Sequence, residues 1–194
     1  MKVRKLIVLT LTFTLLCGSV AYAADSVTQK LRVLINKKWE DGSDAVIVDN
    51  KTYISSQLVS DKLQAILLMD DNDKKVTIYK PNVHMSTVHK STTFREVQKD
   101  QPLDFNVFIT VDSLKVDISA LRLTIADTYG AETTIWTQKS GDSDFPDKKY
   151  DFGLTINVSS YTFAQAGPYT LRFWMKPAGE SAYQVVSEKV LASK

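Results

Sequence analysis

From residue 102 to the C-terminus, the sequence consists of short stretches in which every second residue is apolar, and this period rules out most architectures. The stretches LDFNVFITV, ALRLTIAD, ETTIWTQK, YDFGLTINV, PYTLRFWMK and AYQVVSEKVL follow at even spacing, with turn-forming residues between them. No helical period interrupts them. A two-residue period places alternate side chains on opposite faces of a strand, so each segment has one face to bury and one to solvate. Segments of this kind predict an antiparallel β-sandwich over residues 102–194.

One segment breaks the pattern. In PYTLRFWMK, Tyr169, Leu171, Phe173 and Met175 take one side, and Thr170, Arg172, Trp174 and Lys176 take the other. A tryptophan among polar residues has two readings. The aliphatic stems of Arg172 and Lys176 can cover it, or it belongs to a patch that meets a protein or carbohydrate. Arg172, Trp174 and Lys176 are therefore the partner-binding candidates. Phe108 and one of Ile135 and Trp136 fall on an ambiguous side of their strands, with Trp136 assigned to the core.

The N-terminus speaks to compartment. MKVRK is basic, LIVLTLTFTLLCGSV is apolar, and AYA precedes Ala24, a pattern that predicts a secretory signal peptide over residues 1–23. The apolar run is short for a bilayer span of about 20 residues, so no membrane span is expected after cleavage. Leu16 stands before Cys17 where a lipoprotein signal usually carries a small residue. Cleavage removes three of the 24 basic residues, leaving 21 against 22 acidic ones, and also the single cysteine. A near-neutral chain without a basic block has no electrostatic footprint for nucleic acid. A chain without thiols excludes thiol catalysis and cysteine-ligated zinc, and must be held by its core. The sequence ends in SEKVLASK without a second hydrophobic segment, which predicts release or non-covalent retention.

Residues 24–80 read as a small α+β body. LRVLINKKW is expected to be a strand, and DAVIVDNKTYIS two strand arms around Asp49-Asn50. SSQLVSDKLQAIL carries a serine cap before Val59, Leu63, Ile66 and Leu67, spaced for one helix face. LLMDDNDKKVTIYK closes the body as a hairpin turning at Asp71-Asn72-Asp73. This order, with Lys51-Thr52-Tyr53-Ile54, Leu63, Ala65, Leu67, Asp70 and Val76-Thr77-Ile78, resembles the copper amine oxidase N-terminal-like (stalk) domain over residues 31–80. The resemblance implies an accessory module of exported proteins in Gram-positive bacteria, remote from any copper centre. Asn50, Ser55, Gln64 and Met69 depart from that family's glycine, proline, glycine and tryptophan. Gln64 would be strained if it took the left-handed geometry of the glycine it replaces.

Residues 81–101 are rich in Ser, Thr, Lys and Gln and are expected to form a linker, with a first edge strand around Thr93 to Val97. In the following half, Leu154-x-Ile156, Phe163 and Gly167-x-Tyr169-x-Leu171 resemble a bacterial immunoglobulin-like signature. That resemblance implies that Tyr169 buries its ring and ties its hydroxyl to backbone near the preceding corner.

Candidate reactive groups are sparse. His84 and His89, with Met85, lie on opposite faces of a strand if extended, too far apart for one metal. Asp142, Asp144, Asp147 and Asp151 share one loop and could supply oxygen ligands to calcium, but the EF-hand spacing fails, and Lys148 and Lys149 stand beside them. There is no G-x-S-x-G elbow, no phosphate-cradling glycine loop, and no carboxylate pair beside apolar residues. The expectation is an exported, non-enzymatic binding or scaffolding protein of the cell envelope or extracellular space, with a protein or cell-wall glycan partner and no cofactor. Two alternatives are an enzyme inhibitor acting through the Gly141–Asp151 loop and an assembly subunit pairing through an edge strand.

Overall fold

The computed structural model describes residues 29–40 and 44–194, so the expected signal peptide lies outside the described residues. The chain is mainly β and separates into two units, Met1–Ile54 and Ser55–Lys194. The division falls between Ile54 and Ser55, inside the body expected at 24–80, and not after it.

In the first unit, β1 (Gln29–Lys30), β4 (Ala45–Val48) and β5 (Lys51–Ile54) form an antiparallel sheet, and β2 (Val33–Ile35) pairs with β3 (Lys38–Glu40). Asp49 and Asn50 both take positive φ at the β4–β5 turn, as expected. LRVLINKKW is a hairpin, not one strand, because Asn36 and Lys37 also take positive φ and reverse the chain in two residues. The Arg32 guanidinium lies 4.4 Å from the centroid of the Trp39 ring. Ala45 is the one buried apolar side chain among this unit's described residues.

The second unit opens with α1 (Ser56–Leu63), whose Ser55 cap accepts from the Leu58 amide at 3.2 Å. The helix stops earlier than the apolar spacing suggested. Leu58 is buried and Leu63 exposed, while Ile66 and Leu67 belong to β6 (Ile66–Asp70), paired with β7 (Lys75–Tyr79). The stop is Gln64, which adopts the left-handed conformation at φ 55° and ψ 51°. An L-residue there carries about 1–2 kcal/mol of steric cost, partly offset in a glycine variant by the extra freedom of its unfolded chain. Gln64→Gly is therefore expected to raise stability by about 0.5–1 kcal/mol in urea unfolding.

Helix and hairpin are fastened to the sandwich by one amide. Gln184 accepts from the Leu67 amide at 2.7 Å through Oε1 and donates to the Leu67 carbonyl at 2.8 Å through Nε2, taking the place of a neighbouring strand. Ile66 is fully buried in the sandwich core beside this link. Gln184→Ala strands both Leu67 groups, so a loss of about 2 kcal/mol is expected, with faster hydrogen exchange at the Leu67 amide.

The stretch expected to be a linker is sheet. β8 (Asn82–His89), β9 (Thr92–Thr93) and β10 (Glu96–Val97) precede β11 (Pro102–Asp112), and β8 pairs along β11 from Asn82 to Val88. Its inner face carries Val83, Met85 and Thr87, and Thr87 is fully buried because its hydroxyl donates to the Phe94 carbonyl at 2.6 Å. A threonine in a core position gave the segment its polar look. The remaining strands stand where expected: β12 (Ile118–Ala126), β13 (Glu132–Lys139), β14 (Phe152–Thr162), β15 (Gly167–Pro177) and β16 (Gln184–Ser193).

A five-stranded sheet, ordered β10-β16-β15-β12-β13, packs in sandwich fashion with a four-stranded one, ordered β14-β11-β8-β9. All pairs are antiparallel except β10 with β16, which is parallel, so the sandwich is mixed and not wholly antiparallel as expected. Val107, Ile109, Leu121, Leu123, Leu171 and Phe173 are buried at its centre. At the corner between β14 and β15, the fully buried Phe163 meets Tyr161, Tyr169 and Phe105. Tyr169 is 2 % exposed, and its hydroxyl accepts from the Gln165 amide at 2.9 Å and donates to Gln165 Oε1 at 2.8 Å. Gly167 is needed in this corner: its φ is 131°, and a Cβ there would stand 2.9 Å from Thr128 Cγ2.

Candidate recognition face

The outer face of the five-stranded sheet is where register assembles the polar and aromatic side chains of four strands. Along β15, Trp174 lies between Arg122 of β12 and Val185 of β16, and Arg172 between Thr124 and Glu188. Bulges at Leu123/Thr124 and Phe173/Trp174 re-aim these side chains relative to a regular ladder. Trp174 is half-buried, and its Nε1–H donates to Thr124 Oγ1 at 2.9 Å. Thr124, a polar residue 2 % exposed, holds the indole in one orientation through this bond.

The Arg122 guanidinium lies 3.8 Å from the centroid of the Tyr183 ring. Arg122 stands on β12 and Tyr183 just before β16, so their contact reaches across the intervening β15 near Trp174. Arg172 is turned aside into ion pairs with Glu188, at 2.7 Å, and with Glu132. Burial alone would lower its pKa, but hydrogen bonds and charge from Glu188 and Glu132 outweigh it and hold the guanidinium above its usual range. The cross-strand neighbours of Trp174 are therefore Arg122, which stacks on Tyr183, and Val185, with the Arg172 head committed to two carboxylates. Lys176 is half-buried further along the same face. Sequence reasoning found Arg172, Trp174 and Lys176 but missed Arg122, Tyr183 and Thr124, which only strand register brings to them.

The other aromatic candidates lie elsewhere. Trp136 sits opposite Leu123 and packs on the core, as assigned, with Ile135 beside it at the bulge. Phe108 is 39 % exposed on the outer face of the four-stranded sheet, between Ser86 and Thr155.

The acidic loop is not gathered around a common point. Asp142 Oδ2 accepts from the Lys139 amide at 2.8 Å, Asp147 Oδ1 from the Ser140 hydroxyl at 2.9 Å, and Asp151 Oδ1 from the Ser113 amide at 2.6 Å. Asp144 occupies a turn position at φ 62°. Asp142 and Asp147 thus fasten the loop's own turns, Asp151 ties it to Ser113, and Phe145 anchors it in the core. Among the described residues, no group of three or more His, Cys, Asp or Glu could hold a metal ion. His84 is exposed on β8, while His89 Nδ1 is 2.6 Å from the Asp104 carbonyl, to which it donates as the Nδ1–H tautomer. His89 also borders an open-sided cleft of about 360 Å³ with Phe94, Glu96, Gln98 and Gln101. Glu96 in that cleft is paired with Lys194 at 2.7 Å.

No family model matches this chain, and no curated protein matches it either. Among solved structures there is a distant match to part of the β-glucosidase from Listeria innocua, crystallised in complex with isofagomine. Identity is 10 %, the TM-score is 0.34, and the match covers 59 % of this chain and 16 % of that one.

Proposed function

We propose that this protein is an exported, non-enzymatic binding or scaffolding protein of the cell envelope or extracellular space of a Gram-positive bacterium. Its recognition surface is the outer face of the five-stranded sheet, and its partner is a protein or a cell-wall glycan. The observation that carries this reading is the arrangement around Trp174. Tryptophan, tyrosine and arginine are the residue types that dominate binding hot spots; here Trp174 and Arg122 are cross-strand neighbours on β15 and β12, Trp174 is held by the Thr124 bond, and Arg122 stacks on Tyr183 just before β16. Side chains fixed in this way lose little entropy when a partner arrives.

Export is supported by the basic, apolar and small-residue sequence of positions 1–23, and by the stalk-like motif pattern of residues 31–80. An immunoglobulin-like identity for the sandwich is supported by the buried Tyr169 and its hydroxyl bond to the Gln165 backbone at the corner.

The test is retention of the purified protein on peptidoglycan, on soluble wall glycans and on the secreted proteins of a Gram-positive host. The Trp174→Ala variant is compared with Phe108→Ala, which alters the opposite sheet. Retention that Trp174→Ala abolishes and Phe108→Ala preserves is the expected outcome. Equal retention of both variants would remove the face from consideration.

A further inference from the structure

We infer that β14 is a self-pairing edge, through which two copies of this chain join their four-stranded sheets into one continuous sheet. The inference is independent of the Trp174 face, which lies on the other sheet.

β14 stands at the end of its sheet and has β11 as its only ladder partner among the described residues. A free edge offers unpaired N–H and C=O groups to any strand that can approach, and soluble proteins usually blunt such edges with charge, proline, bulges or shortness. β14 is eleven residues long, and its sequence FGLTINVSSYT contains neither a charged residue nor a proline. The one irregularity lies near its C-terminal end. There Ser160 takes a positive φ and its amide is held by Asp104 Oδ1 at 2.7 Å. From Phe152 to Val158 the pairing with β11 is regular, leaving seven residues of unprotected edge. The edge at the far side of the other sheet differs: β13 begins at Glu132, ends at Lys139, and carries the bulge at Ile135.

The occupant is a second copy because the sequence complements itself. A two-fold axis through Thr155, the middle of the regular stretch, generates an antiparallel pair. In this register Phe152 opposes the second copy's Val158, Leu154 opposes Ile156, Gly153 opposes Asn157, and Thr155 opposes its own copy. Phe152, Leu154, Ile156 and Val158 are the inward-facing set, with Phe152 and Leu154 still only partly buried at the sheet end. Thr155 and Asn157 are exposed on the outer face. Every inward pair is therefore apolar, including an aromatic with a β-branched residue, and the central outward pair is Thr–Thr. These are pairings that stabilise neighbouring strands. No charge on either strand is brought opposite a like charge.

Sedimentation equilibrium of the mature chain from Ala24 over a wide concentration range tests this. The expected mass rises from one chain to two, and the amides of β14 gain hydrogen-exchange protection over the same range. Thr155→Lys leaves the core untouched but places two cations opposite each other, so it is expected to weaken the dimer about tenfold or more. In the mature chain from Ala24, which contains no other cysteine, Thr155→Cys is expected to form an intermolecular disulfide under mild oxidation, because only a residue on the axis meets its own copy. A mass that stays at one chain up to millimolar concentration overturns the inference. So does a dimer that survives Thr155→Lys without loss of affinity, since it would use another surface.

Discussion

Phe163→Ala is expected to destabilise the second unit by about 3–5 kcal/mol, the range for emptying a fully buried aromatic site. Phe163 follows β14 directly and is completely buried. Its ring centroid lies 4.8 Å from that of Tyr161, 5.0 Å from Tyr169 and 6.3 Å from Phe105, and Phe105 meets Phe94 edge-on at 5.6 Å. The two closest contacts are edge-to-face, which adds to the area each ring buries. Phe163 therefore joins β14 and β11 of one sheet to β15 of the other. The loss is a large share of the 5–15 kcal/mol that usually holds a domain together. Urea unfolding followed by tryptophan fluorescence reads it directly. A decrease below about 1 kcal/mol would mean that the corner collapses onto the vacancy, so that the cluster does not tie the sheets. Phe163→Leu keeps most of the volume and separates lost packing from lost ring geometry.

The strands from β11 to β16 were legible in the sequence because apolar residues recur at short intervals between turn residues, although β12 is buried along most of its length and bulges interrupt the ladder at Leu123/Thr124 and Phe173/Trp174. β8 was hidden for a local reason: its inward-facing Thr87 looks like a linker residue until Phe94 is known to accept its hydroxyl proton. The β2–β3 hairpin was hidden because Asn36 and Lys37, unlike Asn-Gly, leave little trace of the positive φ that both adopt. The end of α1 was misread because Ile66 and Leu67 continue a helical spacing, although Gln64 has already turned the chain. Local chemistry decides these cases, and a propensity argument weighs it too lightly.

The candidate site was legible only along one strand. Trp174 could be singled out because its own neighbours, Arg172 and Lys176, are polar. Its cross-strand neighbours depend on register, and two bulges shift that register by amounts no period announces. The acidic loop needed side-chain partners of a different kind. Its spacing already fell short of a calcium loop, but the donors that Asp142, Asp147 and Asp151 each accept from, the Lys139 amide, the Ser140 hydroxyl and the Ser113 amide, are set by the fold.

Trp174→Ala separates the two readings of this residue. The indole is half-buried, so its removal forfeits less than a core aromatic does, and the lost Thr124 bond adds a further increment. A stability loss of about 2 kcal/mol is expected in urea. If Trp174 anchors a partner, its truncation also costs about 2 kcal/mol or more of binding, which is roughly a thirtyfold fall in affinity. Trp174→Phe keeps an aromatic ring and loses the Nε1–H, so it measures the Thr124 bond apart from the ring. A loss of 3–5 kcal/mol in Trp174→Ala, the figure for a core site, would make the residue structural and end its role in recognition. The same conclusion follows if the stability cost is as expected while retention on the partner is unchanged. An indole that contributes modestly to folding and heavily to retention is the combination that a rigid, partly open aromatic on a sheet face should produce.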